Sequence, residues 1–405
     1  MRNYYVRHVE LENPAAAADL MRQIGTDTHG VSLMQNKMVL YTFRIGPLPP
    51  AAANIIKQEM LSVGGEAAVT RGVINCSAEA SDSLLGATRK QYRKFCRKLR
   101  AQPFSLAQIA DKIEAALRHL EKETGLPFSC RGVDVDLKQR SLIMGILNVT
   151  PDSFSDGSLY LEPEKAILKA RTMIAEGADI IDIGGESTRP GAEEVAETEE
   201  LNRVVPIIKA LRQEFPQLPL SIDTYKSRVA AAALEAGADI INDISAGNFD
   251  SKMVQVAAAA DAWLCLMHIQ GTPRKMQQNP SYEDLFAEIN TYFEQALARA
   301  EKAGVKPEKI ILDPGIGFGK TLEHNLQLLK YLKDFAACGK PLLIGTSRKS
   351  FIGKLTGAEV DERLPGSLVT VALALTNGAH IARVHDVAAT RQAVTVTDAI
   401  NHVKR

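Results

Sequence analysis

The feature that most constrains the fold is a series of eight short apolar segments in the second part of the chain, each followed by polar residues or glycine. Stretches of helical character lie between these segments. Short buried strands that alternate with helices are typical of a parallel sheet, and eight such units fit a closed (β/α)8 TIM barrel, an α/β fold. A doubly wound open sheet is the alternative. The segments are Leu142–Leu147, Ile180–Ile183, Leu220–Ile222, Ile240–Ile241, Trp263–Met267, Ile310–Leu312, Leu342–Ile344 and Ile381–Val384.

Two repeated phrases favour this interpretation. EGADIIDI (Glu176–Ile183) and EAGADIINDI (Glu235–Ile244) each place a glycine at the end of a helix and an apolar strand directly after it. The helices predicted between the strands include Pro163–Glu176, Glu199–Glu214, Ser227–Ala236 and Pro280–Ala303.

The first part of the chain has no such rhythm, which predicts a small α+β domain ahead of the barrel. A chain of 405 residues also exceeds the usual size of a single core. We therefore expect an accessory domain of unknown role, residues 1–125, and a barrel domain, residues 126–405. The linker is predicted at GLPFSCRG, Gly125 to Gly132, where Gly and Pro interrupt a helix. The accessory domain is expected to contain strand-like runs at Tyr4–Val9 and Met38–Phe43 and helices at Ala51–Leu61 and Leu106–Glu123.

The composition is that of an ordinary globular protein, with 45% apolar and 24% charged residues. The 48 basic and 48 acidic side chains cancel, so net charge gives no argument for binding nucleic acid or acidic membranes. The five cysteines form no CxxC pair, which is typical of a reducing compartment. The N-terminal residues lack the apolar stretch of a signal peptide, and no apolar run reaches membrane-spanning length. We therefore expect a cytoplasmic protein without a membrane partner.

One segment suggests a different class of function. RKQYRKFCRKLR, from Arg89 to Arg100, repeats arginine and lysine every four residues and would form a basic helix face. Together with Tyr92 and Phe95, that face could contact the phosphates of a nucleic acid. A solvated helix is the more common outcome, so we predict no nucleic-acid partner.

Polar residues follow every predicted strand. In a TIM barrel the functional groups lie at the carboxyl ends of the strands, so these residues are expected to share one site. They are Asn148, Gly184–Gly191, Asp223, Asn242 with Asp243, His268, Asp313, Ser347–Lys349 and Arg383–Asp386.

Their types suggest a ligand with a phosphorylated end and a polar aromatic end. Guanidinium and ammonium groups suit phosphate oxygens. Asp223, Asn242 and Asp313 can hydrogen-bond a flat heterocycle rich in N–H donors. Asp182 either caps a turn inside the barrel or takes part in the chemistry, and His268 is interpreted as a packed core residue. The cationic group comprises Arg189, Arg348, Lys349, Arg383 and His385.

The segment DPGIGFGKT (Asp313–Thr321) is similar to a nucleotide-binding loop but fails its pattern. A Walker A loop requires its first glycine five residues before Gly319, where this chain has Pro314. We therefore interpret the segment as a tight turn from a strand to a helix.

Two long motifs, MGILNVTPDSFSDG (Met144–Gly157) and DIGGESTRPGA (Asp182–Ala192), resemble the signatures of dihydropteroate synthases. SIDTYK, IIND, LMHIQGTP, DPGIGFGK, GTSRKSFIG and RVHD are similar to later landmarks of that family and follow in the same order. The resemblance covers about Phe128 to Arg405. Ser158 and Ile269 are mild departures, since the family usually has glycine and often methionine there.

The resemblance implies an enzyme of folate biosynthesis that joins 6-hydroxymethyl-7,8-dihydropterin pyrophosphate to 4-aminobenzoate and releases pyrophosphate. It also implies a Mg²⁺ cofactor, small-molecule substrates, a sulfonamide target and a homodimer. The alternative is a methyltetrahydrofolate:corrinoid methyltransferase, which shares the pterin-binding barrel. That enzyme would need neither a pyrophosphate cluster nor the NVTPDSFSDG loop, and this chain has both.

The resemblance further implies a role for each matching residue. The pterin ring would be held by Asp223, Asn242, Asp313 and Lys349, with Met267 packed nearby. The pyrophosphate would be held by Asn148, Arg189, Arg383 and His385, and Asn148 would also bind magnesium. The aminobenzoate pocket would be formed by Phe154, Thr188, Pro190, Phe318 and Ser347. Asp223, Lys349 and Arg189 would be the catalytic residues.

Overall fold

The structure is a computed structural model that describes residues 4–11, 13–121, 125–149, 162–187 and 191–403. The chain divides into two compact units. One comprises Met1–Glu123 with Ala337–Gly339, and the other comprises Thr124–Ala336 with Lys340–Lys404.

The first unit is a small α+β structure built on an antiparallel sheet in the order β1-β3-β2. Helices cover a core that includes the fully buried side chains of Ile56, Met60, Leu85, Phe95 and Leu99. The strands are β1 (Tyr41–Leu48), β2 (Glu66–Val69) and β3 (Ser81–Ala87). The helices are α1 (Pro14–Gln23), α2 (Thr28–Met34), α3 (Pro50–Ser62), α4 (Arg89–Leu99) and α5 (Leu106–Leu120).

One predicted strand of this unit is wrong. Tyr4–Val9 belongs to no strand, and Tyr4, Tyr5 and Val6 are almost fully exposed. An apolar run becomes a strand only where another strand pairs with it, and among the described residues this run has no such neighbour. The run predicted at Met38–Phe43 does form a strand, but that strand begins at Tyr41.

The basic segment forms helix α4, which buries its aromatic residues and exposes several of its basic ones. Tyr92 and Phe95 are fully buried in the core of the unit, so neither ring is available to a nucleic acid. Tyr92 donates hydrogen bonds to the carbonyl oxygens of Tyr41 and Leu85, 3.2 and 3.1 Å away. The aromatic residues of the motif therefore support the fold, whereas Lys90, Arg93 and Lys94 are exposed.

The second unit contains the predicted barrel. Its eight parallel strands follow the order β11-β10-β9-β8-β7-β6-β13-β12, so every neighbour along the chain from β6 to β11 is also a neighbour in the sheet. Two strands form an antiparallel hairpin that precedes the barrel, β4 (Pro127–Cys130) and β5 (Val133–Asp136). The barrel strands are β6 (Leu142–Asn148), β7 (Ile180–Gly184), β8 (Leu220–Asp223), β9 (Ile240–Asp243), β10 (Trp263–Met267), β11 (Ile310–Asp313), β12 (Leu343–Ile344) and β13 (Ile381–Val384). All eight predicted strands are confirmed.

The barrel closes between β11 and β12. A parallel bridge joins Leu312 to Leu342, and the Leu312 N–H donates to the Pro341 carbonyl at 2.9 Å. Strand β12 has only two residues, so this junction has fewer main-chain bonds than the pairing of β6 with β7, which spans five residue pairs. The open-sheet alternative is therefore excluded.

Helices α6 to α14 surround the barrel, and the four predicted helices are confirmed to within two residues at each end, with one exception at a start. Asp284 accepts hydrogen bonds from the Phe286 and Ala287 N–H groups, so the helix predicted from Pro280 begins only at Leu285. The helices are α6 (Glu162–Ala175), α7 (Glu197–Glu214), α8 (Ser227–Ala236), α9 (Met253–Ala259), α10 (Leu285–Ala303), α11 (Leu322–Lys330), α12 (Ser350–Thr356), α13 (Leu364–Thr376) and α14 (Val387–His402).

The segment predicted as a linker is instead structural. Within Gly125–Gly132, strand β4 pairs with β5, and Phe128 is fully buried against Trp263 with ring centroids 4.5 Å apart. The Trp263 indole N–H donates to the Ser129 carbonyl at 3.2 Å. Gly125 and Pro127 mark the start of this hairpin, and Gly132 lies in its turn. The hairpin packs against the amino-terminal end of the barrel core.

No helix among the described ranges is both long enough and apolar enough to cross a membrane.

We expect Phe128→Ala to destabilise the barrel by about 3–5 kcal/mol, because it removes a fully buried ring and leaves a cavity against Trp263. Trp263 is the single tryptophan, so its fluorescence during urea unfolding follows this unit. Leu355→Ala is the control, since that side chain is about half exposed. A midpoint equal to that of the control would contradict the role of the hairpin.

Candidate active site

Alternation along the strands separates an apolar layer from a polar layer inside the barrel. Alternate residues of a strand face the same side. The lower layer contains Ile180, Ile240, Cys265, Ile311 and Ile381, all in one buried cluster. Two residues further along the same strands, the upper layer contains Asp182, Asn242, Met267, Asp313 and Arg383. The strand period therefore brings these side chains together at the carboxyl ends.

Arg383 lies at the centre of the upper layer. Its Nε donates to Asp182 Oδ2 and its Nη2 to Asp223 Oδ2, both at 2.6 Å. Asn242 Nδ2 donates to the same Asp182 oxygen at 3.1 Å. Asp182, whose role the sequence left open, is thus a fully buried partner of the arginine and does not cap a turn.

Burial and charge act against each other in this cluster. Burial opposes the charge of Arg383, but its carboxylate neighbours Asp182 and Asp223 outweigh that effect and raise its pKa. Burial raises the pKa of Asp223, and the Arg383 guanidinium offsets part of the rise. The positive charge of Arg383 is therefore what holds two buried carboxylates side by side.

Two carboxylate oxygens of the cluster have no protein donor within the described ranges. Asp182 Oδ1 and Asp223 Oδ1 are both buried without a hydrogen-bond partner. A buried acceptor that lacks a donor costs free energy, so such atoms are expected where a ligand supplies the N–H groups.

Asp313, Phe318 and Lys349 form the opposite wall. Asp313 Oδ1 accepts a hydrogen bond from the Gly315 N–H at 2.7 Å. Burial raises the pKa of Asp313 to about 6, although that hydrogen bond and the nearby Lys349 charge oppose the rise. The Lys349 ammonium lies 4.1 Å from the centroid of the Phe318 ring, which is a cation–π contact.

Ser347 and His385 meet beside this wall. Ser347 Oγ lies 3.0 Å from His385 Nδ1 and accepts from the His385 main-chain N–H at 3.2 Å. Arg348 does not join the cationic group predicted from the sequence. Its guanidinium forms two bonds to the Asp386 carboxylate, at 3.0 and 2.5 Å. Arg348 therefore orients the turn that carries its neighbours.

Asn148 and Met267 complete the described part of the predicted site. Asn148 is half-buried at the end of β6, and a Cβ placed on Gly184 would lie 3.8 Å from its Oδ1 and 3.7 Å from Asp223 Oδ2. Asn148 and Asp223 therefore border the same glycine. Met267 is buried in a small cluster that also includes Ile269 and Phe318.

Four predicted site residues, Phe154, Thr188, Arg189 and Pro190, lie outside the described residues. The structure brings the other ten to one end of the barrel: Asn148, Asp223, Asn242, Met267, Asp313, Phe318, Ser347, Lys349, Arg383 and His385.

The sequence interpretation missed Lys320, which is almost fully buried behind Phe318. Its ammonium lies 2.9 Å from His268 Nδ1 and donates to the Phe318 carbonyl at 3.0 Å. Burial, with the Lys320 charge adding to it, lowers the pKa of His268 to about 2, so the ring is a neutral acceptor. The packed role predicted for His268 agrees with this arrangement. The signal for Lys320 was its position directly after a turn of three glycines.

Chemically, this end of the barrel offers buried carboxylate acceptors on one side and cations with an aromatic ring on the other. This arrangement suits a reaction whose substrates carry their own leaving group and nucleophile, and which the protein binds, orients and stabilises electrostatically.

The chain is similar to known pterin-binding proteins. The sequence model of the family described as pterin binding enzyme matches residues 144–385. Dihydropteroate synthase from Synechocystis sp. is 51% identical over 266 residues, which are 65% of this chain and 92% of that protein. The Escherichia coli dihydropteroate synthase is 49% identical over 269 residues, 66% of this chain and 94% of that protein.

Solved structures agree. The Yersinia pestis dihydropteroate synthase in complex with a sulfonamide drug has 45% identity and a TM-score of 0.64, covering 68% of this chain and 100% of that one. The Xanthomonas albilineans dihydropteroate synthase with 4-aminobenzoic acid has 43% identity and a TM-score of 0.64, covering 69% of this chain and 100% of that one. The methyltransferase alternative is therefore set aside.

The family model matches more than half of the chain, and the chain covers almost the full length of relatives that are about 50% identical to it. The chain therefore belongs to the pterin-binding enzymes, and among them to the dihydropteroate synthases.

Proposed function

We propose that the polar end of the barrel divides its substrates among three groups of side chains. Asp223, Asn242, Asp313 and Lys349 bind the pterin ring, with Met267 packed against it. Asn148, Arg189, Arg383 and His385 bind the pyrophosphate. Phe154, Thr188, Pro190, Phe318 and Ser347 form the aminobenzoate pocket.

The observation that carries the proposal is the buried Asp223 Oδ1, which has no donor within the described part of the chain. The edge of a pterin presents N–H donors of the kind that this oxygen lacks. Binding the ring would satisfy a group that burial otherwise penalises, while Asp223 Oδ2 stays paired with Arg383. The ring would thus bind where a desolvated acceptor is already in place.

The reaction exchanges one bond for another. The bond between the pterin methylene carbon and the pyrophosphate oxygen breaks, and pyrophosphate leaves with the electron pair. The aminobenzoate nitrogen then forms a bond to that carbon and loses a proton to solvent. Asp223 stabilises the positive charge that develops on the pterin, and Lys349 fixes the ring. Arg383 donates to the two carboxylates through Nε and Nη2, and its Nη1 would serve the leaving group.

Magnesium fits this donor set only as an ion carried largely by the pyrophosphate. The described residues contain no group of three His, Cys, Asp or Glu side chains that could hold a metal, and Asn148 offers one amide oxygen. Mg²⁺ keeps several waters and prefers phosphate oxygens, so one protein ligand is sufficient. When bound it would neutralise charge on the leaving group. Asn148 would then orient the pyrophosphate beside Asp223.

The proposal predicts that Lys349→Ala lowers kcat/KM by about 100-fold while the melting temperature stays within a few degrees, because a half-buried lysine at the mouth contributes charge and little packing. Synthesis of dihydropteroate from the two substrates and magnesium is the assay. Lys330→Ala is the matched control, since Lys330 lies over the Tyr331 ring at 5.0 Å and is exposed. Turnover of Lys349→Ala equal to that of the control would remove Lys349 from the mechanism.

A pH dependence follows from Asp313, whose pKa burial raises to about 6. The carboxylate accepts N–H donors above that pH and becomes protonated below it. The affinity for 6-hydroxymethyl-7,8-dihydropterin, which carries no phosphate to titrate, should therefore fall up to about tenfold per pH unit below pH 6. Calorimetry from pH 5 to 8 measures it. Constant affinity across that range would show that Asp313 does not bind the ring as a carboxylate.

The expected homodimer is supported by an exposed apolar face on α13 and α14. Val369, Leu373, Val396 and Ile400 are each 53–65% exposed. Apolar patches of this kind mark association surfaces. A cytoplasmic location is supported by the cysteines, all five of which are free thiols.

We expect the double variant Leu373→Glu, Ile400→Glu to be a monomer of 44.0 kDa in light scattering, whereas the unchanged protein has twice that mass. Leu168→Glu, at a leucine of α6 that is 62% exposed, should remain a dimer. If both variants keep the same mass, α13 and α14 do not form the interface.

A further inference from the structure

The turn from β11 to α11 contains three glycines in a left-handed backbone conformation and one internal main-chain hydrogen bond, from the Phe318 N–H to the Gly315 carbonyl. Gly315, Gly317 and Gly319 have φ angles of +70°, +83° and +63°, in the region that favours glycine. Glycine loses more conformational freedom on folding than any other residue, so a turn with three of them relies on outside contacts for its shape. Phe318 lies within this turn and would share its freedom.

Neighbouring side chains supply those contacts to the glycine peptides. Each bond joins a polar side chain to a main-chain N–H or carbonyl of the turn. The bonds run from Gly315 N to Asp313 Oδ1 (2.7 Å), from Gly317 N to Asn325 Oδ1 (2.7 Å), from Gln277 Nε2 to the Gly317 carbonyl (2.6 Å) and from Tyr282 Oη to the Gly319 carbonyl (2.7 Å).

The peptide of Phe318 itself is held by Lys320. The buried ammonium donates to the Phe318 carbonyl at 3.0 Å and is fixed from behind by His268 Nδ1 at 2.9 Å. The His268 ring packs edge-on against Tyr292, with centroids 4.7 Å apart. The ammonium therefore has a rigid support on one side and the carbonyl of Phe318 on the other.

Phe318 transmits this constraint to the site. The Phe318 N–H donates to the Gly315 carbonyl at 3.1 Å, so a held Phe318 carbonyl fixes the second of the two peptides that flank its Cα. Together the two peptides set the direction of the Cα–Cβ bond from which the ring extends. The ring faces the Lys349 ammonium at 4.1 Å. A Cβ placed on Gly317 would approach Lys349 Cδ to 3.2 Å, so turn and lysine are already closely packed. A small shift of the turn would move both groups.

Packing alone does not account for a lysine at this position. Burying an amine costs free energy that an apolar side chain of the same length would avoid. The cost appears in Lys320 as a pKa that burial lowers to about 7, with Asp313 opposing the shift and Lys349 adding to it. A group kept at that cost is expected to do something that methionine cannot, and its hydrogen bonds to His268 and Phe318 are what methionine lacks.

We infer that Lys320 is a positioning residue for the synthase reaction, which holds the Phe318 ring in the orientation that binds 4-aminobenzoate. The inference rests on the proposed function, because it takes Phe318 as a wall of the aminobenzoate pocket. Lys320 touches no substrate and acts through Phe318.

The test compares Lys320→Met with the full-length protein. Methionine keeps the length and apolar stem but removes the donors. The KM for 4-aminobenzoate should rise about tenfold or more, while the Kd for 6-hydroxymethyl-7,8-dihydropterin should change less than twofold. Lys309→Met is the matched control, because Lys309 also donates to a main-chain carbonyl, that of Asp261, but precedes β11 at its other end. It should leave both constants unchanged.

A second variant covers the case in which Lys320→Met fails to fold. Tyr282→Phe removes one anchor of the same turn, at the Gly319 carbonyl, and keeps the ring. It should raise the KM for 4-aminobenzoate by a few-fold with unchanged pterin affinity. Unchanged KM values in the folded variants, or an equal loss for both ligands, would overturn the inference.

Phe318→Leu separates this inference from the proposed function. If Phe318→Leu has a normal KM for 4-aminobenzoate, the proposed pocket is wrong. If Phe318→Leu is impaired while Lys320→Met and Tyr282→Phe are normal, the pocket stands and the positioning role of Lys320 is refuted.

Discussion

The candidate site at the carboxyl ends of the barrel strands depends on the ion pairs of Arg383 with Asp182 and Asp223. Two carboxylates buried side by side would repel each other and lose their hydration. The Arg383 guanidinium offsets the repulsion with its positive charge and replaces lost water contacts by donating a hydrogen bond to each carboxylate. Asp182 is fully buried, and within the described ranges its side-chain hydrogen-bond donors are Arg383 and Asn242. The arginine thus makes it possible to keep an acceptor such as Asp223 Oδ1 desolvated and ready for a ligand.

The opposite wall follows a different principle. There the glycines restrict the backbone little, and order is imposed by side chains from the end of β11, from the loop after β10 and from α11. One wall is therefore held by charge inside strands, and the other by hydrogen bonds to a turn. Lys349 interacts with both walls. Its ammonium contacts the Phe318 ring of the turn, and its positive charge opposes the rise in the pKa of Asp223 and of Asp313.

The barrel could be predicted from the sequence because the same pattern repeats along the chain. Each apolar run, such as Ile240–Ile241, forms a strand and is followed by polar residues at the end of the barrel that carries the site. The prediction failed where a pattern depends on distant partners. Tyr4–Val9 has residue types that are common in strands but pairs with no strand among the described residues. Gly125–Gly132 has the composition of a linker, although Phe128 is buried against Trp263. The residue types of the site were predictable from strand ends, whereas the pairing of Arg348 with Asp386 depends on geometry that no local pattern contains.

The junction between β11 and β12 has a consequence for how the barrel fluctuates. Regions with few main-chain bonds open more readily than the strands around them. Among the described residues this junction has one parallel bridge, between Leu312 and Leu342, which includes the bond from the Leu312 N–H to the Pro341 carbonyl. Asp313 ends one side of the junction, and Ser347 with Lys349 follows the other. A ligand that contacts residues on both sides would add contacts across this junction, so substrate binding should stabilise the closed form of the barrel where the main chain holds it least.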